Sequence, residues 1–292
     1  MLLVDIDKNE LEREYEKYKK SAKIHPAIFI IGVIGGVILL GISESLLFTF
    51  IVLLIYMLIY GIIKNRKNNK LYSFRVYKAS RLLIHDPVSE VSREKLFIMS
   101  NGSKKFTDKV MTDIILSDLY IFRDDIASAI NTLNSTDRTK LSFYPEAALA
   151  LYHEMILSYY CAGDMKSVLN VYTDAQPYLE GQMRKDFMSM YQVLDAMIYV
   201  NSAAGNNSKA LDLMLTKNRY FEYMSKKNMR SALNRLNNEL VHIETAELYL
   251  KCGDSEKARE WLSAALPVSQ ISAHNIRRAE ELRQQLGDKP VS

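Results

Sequence analysis

The chain has 292 residues, 48% hydrophobic and 25% charged, which excludes a disordered or collagen-like polymer and leaves room for one substantial domain plus an appendage. Its 38 basic and 34 acidic side chains give a net charge of +4, too near balance for a nucleic-acid-binding surface, so no nucleic-acid partner is expected. Two distant cysteines, Cys161 and Cys252, exclude a disulfide framework and a CxxC metal site. Six prolines and eleven glycines, mostly between periodic segments, leave long stretches free to form helix, and the expected fold class is all-α.

Residues 1–25 read as a charged N-terminal helix carrying Lys17, Lys19, Lys20 and Lys23. Two uncharged runs follow, 18 residues from Pro26 to Ser43 and 19 from Ser45 to Ile63, each long enough to cross a bilayer core as a helix. The expected element over 26–63 is therefore a transmembrane helical hairpin. Basic residues flank both of its ends, with Lys64, Arg66, Lys67 and Lys70 on the far side, while the connection Gly41-Ile42-Ser43-Glu44-Ser45 carries one acid. This charge bias places both termini in the cytoplasm of a two-span protein of the cell membrane. A polar leader of about 25 residues and a second apolar run argue against a cleaved signal peptide.

Gly32 and Gly36 form a GxxxG pair with Gly35 beside them, a pattern that lets helix backbones approach closely. They are the candidate packing residues, either within the hairpin or in a homodimer or larger membrane complex. No ionisable side chain lies inside either run, so the group a proton or ion path needs is missing and the hairpin reads as an anchor.

Residues 64–104 read as a helical connector. One helix carries Leu71, Phe74, Val76, Tyr77, Leu82 and Leu83 and stops at His85-Asp86-Pro87, and a second covers Ser89 to Ser100. From 105 to 270 the sequence is self-similar: a long amphipathic helix, a tight turn, then a shorter helix with a small residue at the crossing point. The turns are Tyr159-Tyr160-Cys161-Ala162-Gly163-Asp164, Ala203-Ala204-Gly205-Asn206-Asn207-Ser208 and Tyr249-Leu250-Lys251-Cys252-Gly253-Asp254. A first copy, Tyr120-Ile121-Phe122-Arg123-Asp124-Asp125, lacks the glycine.

These segments resemble tetratricopeptide repeats. The last copy matches best, at Ala246, Tyr249, Gly253, Ala258, Leu262 and Ala265; the second matches at Tyr159, Gly163, Tyr172 and Ala175. The tryptophan usual in that family is absent from the first helices, and the crossing residues Ala129, Val168, Ala210 and Ala258 are 39, 42 and 48 apart, beyond the family's period of about 34. The expected fold is thus a TPR-like α-solenoid of helix pairs following the hairpin, with 271–292 as a polar capping helix and tail. The resemblance implies a concave binding groove lined from the first helix of each pair. On this sequence that gives Asp118, Ile121, His153, Tyr160, Gln192, Asp195, Tyr199, Glu247 and Lys251.

No recognised chemistry competes with a binding role. The histidines at 25, 85, 153, 242 and 274 form no paired metal site, and His153-Glu154 lacks the second histidine of HExxH. Walker, GxGxxG and GxSxG patterns are missing, and neither a catalytic residue nor a metal or cofactor is expected. The expected function is a non-enzymatic, membrane-anchored scaffold or adaptor that binds a protein or peptide through its cytoplasmic helices. One alternative is an accessory subunit of a membrane transport or secretion complex docking through the hairpin. A membrane-bound enzyme of unrecognised type is the third.

Overall fold

The computed structural model describes residues 3–42, 47, 49–57, 73–182, 185–225, 231–265 and 272–287; within them the side chains of 22–29, 37, 39–42 and 225 are not described. The described residues are all-α, without a strand. They form two compact units, Asp7–Ser73 and a larger one joining Met1–Ile6 to Phe74–Ser292.

In the smaller unit, helix α1 runs from Lys8 to Ile42, so no break marks the boundary expected at residue 25. Helix α2 is described over 49–57. A β-carbon added at Gly32 would strike the Tyr56 ring, and one at Gly36 would strike Leu53, whereas Gly35 has nothing within 4 Å. Gly32 with Tyr56 and Gly36 with Leu53 make the two helices antiparallel, and two of the three candidate glycines lie between them. Among the described residues no helix is long and apolar enough to cross a membrane. The expected spans reach beyond those residues, as do most of the connection, at 43–45, and the basic flank at 64–70.

The larger unit begins with an extended segment: the Val4 amide donates to the Tyr172 hydroxyl at 2.8 Å, and Asp5 pairs with Lys209 at 3.3 Å. Helices α3 (Phe74–His85) and α4 (Glu90–Asn101) occupy the connector, the latter capped by the Ser89 hydroxyl. Four helix pairs follow: α5 (Phe106–Phe122) with α6 (Ile126–Asn134), α7 (Pro145–Cys161) with α8 (Met165–Gln182), α9 (Phe187–Ala203) with α10 (Asn207–Ser225), and α11 (Ala232–Lys251) with α12 (Ser255–Ala265). The 18 residues of α8 and 19 of α10, against 9 in α6, account for the stretched repeat spacing.

One turn geometry joins every pair. Asp124, Gly163, Gly205 and Gly253 take left-handed φ values of 64°, 73°, 80° and 85°. The next amide reaches back to the same carbonyl of the preceding helix, from Asp125 to Tyr120, Asp164 to Tyr159, Asn206 to Asn201 and Asp254 to Tyr249. The crossing residues Ala129, Val168, Ala210 and Ala258 are fully buried, as a close approach of two helices requires. Helices α5, α7 and α9 stack on one another and are buried around most of their circumference, with α6, α8 and α10 outside them.

Helix α13 (Ala273–Leu286), expected as a cap at an exposed end, packs against α11, α12 and α5. Its N-cap Ser272 donates its hydroxyl to the Phe122 carbonyl at 2.9 Å, and Arg277 donates to Asp124 at 2.6 and 2.9 Å. Helix α3 also touches both α5 and α11. The first and last helix pairs are thereby joined, and the repeat array closes on itself.

Asp124 carries a conflict. A left-handed aspartate costs about 1–2 kcal/mol that glycine avoids, yet its carboxylate holds α13. Asp124→Ala loses the contact and keeps the strain, while Asp124→Gly loses only the contact. In urea unfolding the alanine variant should be the less stable of the two by about 1 kcal/mol; equal stabilities would show that the turn is not strained.

Candidate interaction site

The first helices bring most of the candidate groove residues into one buried polar seam. His153 on α7 lies 2.9 Å from Asp195 on α9, and Asp195 takes a 2.5 Å hydrogen bond from Lys217 on α10. The Tyr199 hydroxyl, further along α9, donates to Glu244 of α11 at 3.2 Å. Glu244 and Glu247, one turn apart, share Arg278 of α13. Glu247 also accepts from Tyr160 at 3.0 Å and pairs with Lys251 at 2.7 Å, and Lys251 donates to the Tyr160 and Ser202 hydroxyls at 3.0 and 3.2 Å. The Tyr160 and Tyr199 rings sit 4.9 Å apart.

The electrostatics follow from this pairing. Burial would raise Asp195, but Lys217 and His153 outweigh it and hold its carboxyl well below the usual range. Burial likewise opposes the charge on Lys217 and Arg278, and their carboxylate neighbours override it. Partial burial would raise Glu247, yet Arg278 and Lys251 hold it down at about 2. Burial pushes the Tyr160 hydroxyl up to about 12, and it stays protonated. Lys217, Lys251 and Arg278 each have a carboxylate partner in the seam, and burial pushes Glu244 above the ordinary carboxylate range although Lys217 and Arg278 oppose it.

The candidates divide on burial. Tyr160, Asp195 and Tyr199 are buried within the seam, and Ile121 is buried in the apolar packing of α5. His153 and Glu247 are half-buried, Gln192 is half-buried, and Lys251 is exposed. Tyr160, Glu247 and Lys251 border a cavity of about 290 Å³ between the ends of α7, α11 and α13, with Arg277, Arg278 and Glu281 opposite.

Asp118 lies beside Glu154, and the two feel the charges of His153 and Asp195 at the edge of the seam. Burial pushes Asp118 up to about 6, and burial together with Asp118 holds Glu154 well above the ordinary carboxylate range, with Glu154 donating its proton to Asp118. One Glu154 oxygen has no partner among the described residues. Burial also lowers His274 to about 4, keeping it neutral against Asp124.

Sequence reasoning missed Lys217 and Arg278 because it drew the groove only from first helices, and it passed over Glu244 on the first helix α11. Lys217 belongs to a second helix and Arg278 to the presumed cap. Glu244 had a readable signal, since Glu244, Glu247 and Lys251 repeat at helical spacing along one face of α11. Cys161 is half-buried, with burial pushing its thiol up to about 12, and Cys252 is exposed. Among the described residues no three His, Cys, Asp or Glu side chains group to hold a metal. Comparison of the chain with known protein families, with curated proteins and with solved structures returned no match.

Two outcomes follow. Arg278→Ala leaves Glu244 and Glu247 buried without their guanidinium and should cost about 3–5 kcal/mol in urea unfolding; a loss under about 1 kcal/mol would mean the clamp is solvated. Glu154 has a folded pKa above its unfolded one, so it takes up a proton on folding, and its contribution is best at low pH and declines as pH rises. Glu154→Gln keeps a donor for Asp118 without titrating. The melting temperature of the variant relative to the unaltered protein should therefore climb from pH 5 to pH 8, and a flat difference would contradict the shared proton.

Proposed function

We propose that the chain is a non-enzymatic, membrane-anchored scaffold whose hairpin lies in a bilayer and whose cytoplasmic helix pairs, resembling tetratricopeptide repeats, hold a protein or peptide partner. The observation that carries the membrane half is the outward face of α1 and α2. Ile31, Leu47 and Phe50 are 67%, 71% and 65% exposed, and Ile34, Ile38, Ile51, Leu54 and Met57 are exposed with them. A contiguous apolar face of this kind is unfavourable in water and is satisfied by lipid. The sequence supplies the remaining support, in two uncharged runs of spanning length between basic flanks.

The partner half rests on the stacked helix pairs, an architecture suited to extended ligands. Because α13 and the seam fill the space between α7, α9 and α11, the accessible part of the proposed surface is its rim, at Gln192 and at Lys251 beside the cavity. Docking of the hairpin on other membrane helices draws less support, since Gly32 and Gly36 are already taken up by Tyr56 and Leu53.

Alkaline carbonate extraction of membranes from expressing cells tests the anchor: the full chain should stay in the pellet, and its release would overturn the membrane reading. The partner surface is tested in the same membranes with a photo-crosslinking residue at Lys251 or Gln192. Crosslinks to one discrete protein are expected there and not from Thr173 on the outer helix α8; equal labelling from all three positions would sink the surface.

A further inference from the structure

Helices α3 and α4 leave a second surface unused. On α3, Phe74, Lys78, Arg81 and His85 fall on one exposed stripe, and on α4, Val91, Lys95 and Ile98 do the same. The two stripes border a groove of about 570 Å³ whose floor includes Leu82, Val91, Ile98 and Met99. Ile98 is 68% exposed, and Phe74, at the head of α3, is 72% exposed. Around this apolar floor stand three fixed positive charges, Lys78, Arg81 and Lys95, against the single carboxylate of Asp86. Among the described residues none of these three cations is held in an ion pair, in contrast to Lys217, Lys251 and Arg278 of the seam, although Lys78 lies 4.6 Å over the Phe74 ring.

We propose that this groove binds an anionic phospholipid, with the headgroup phosphate between Lys78, Arg81 and Lys95 and an acyl chain along Leu82, Val91 and Ile98. Apolar floor and basic rim match the two halves of such a lipid, and neither half alone explains both. The sequence points to a source for the ligand: ten residues, 64–73, separate Ile63, at the end of the second apolar run, from Phe74 at the head of α3. This inference rests on the membrane reading above, and its test is separate.

The test uses the full chain purified in detergent and examined by native mass spectrometry with added phosphatidylglycerol or phosphatidylcholine. The unaltered protein should retain phosphatidylglycerol about tenfold better than phosphatidylcholine. The triple variant K78Q/R81Q/K95Q should lose that preference, and Ile98→Asp should weaken retention with all three cations in place. All these positions are exposed, and a circular dichroism melt verifies that each variant is folded. Equal retention by the triple variant and the unaltered protein would overturn the proposal. So would displacement of the lipid by millimolar inorganic phosphate, which would make the ligand a free anion. Failure of the anchor would appear instead as release by carbonate, whatever the lipid preference.

Discussion

The larger unit depends on how it neutralises one guanidinium. Arg278 is buried on α13, where an unpaired charge is costly, and it lies between Glu244 and Glu247 of α11. That requirement fixes the register of α13 on α11, because only helical spacing presents two carboxylates to one arginine. Buried ion pairs contribute little net stability compared with apolar packing, so their effect here is better understood as selecting one arrangement of helices over others. With α13 held, Tyr160, Lys251 and Ser202 complete the seam, and space that an open superhelix would offer to a ligand is occupied by the protein itself.

A second constraint acts locally and repeats. Each helix pair needs a residue that turns left-handed and a small side chain where the helices cross, and four successive pairs meet both requirements. Three use glycine for the turn. The first uses Asp124, whose carboxylate engages Arg277 and His274 on α13. The strained turn of the first pair is thus also the contact that joins it to the end of the array, so strain and closure sit in one residue.

What could be read from the sequence follows from the same physics. Gly163, Gly205 and Gly253 announce their turns, because that property belongs to one residue and its nearest neighbours. The crossing residues were legible for the same reason. Helix α13 was not. Its sequence is strongly polar, which reads as a solvated cap, yet His274, Asn275 and Arg278 are buried: His274 Nδ1 meets Asp124, the Asn275 amide donates to Leu236 and Glu239, and Arg278 pairs with Glu244, while His274 Nε2 and Asn275 Oδ1 have no partner among the described residues. Lys217 follows the same rule. A polar face that is buried by pairing cannot be told from a solvated face until the partners, distant in sequence, are known. Among the candidate groove residues, Asp195 and Tyr199 were therefore placed on the correct helices and assigned to a surface they do not reach.

The two units obey opposite solvent rules. In the larger, most big apolar side chains of α5, α7 and α9 are inside, and the buried cations Lys217 and Arg278 are paired with carboxylates. In the smaller, isoleucine, leucine and phenylalanine face outward along both helices while glycines face inward to admit Tyr56 and Leu53. On the proposed reading the two rules meet at the surface of a bilayer, which gives a reason for a region of the larger unit that breaks its own rule. The α3–α4 groove shows apolar and unpaired basic side chains together, unfavourable in either water or hydrocarbon alone and suited to the headgroup layer between them.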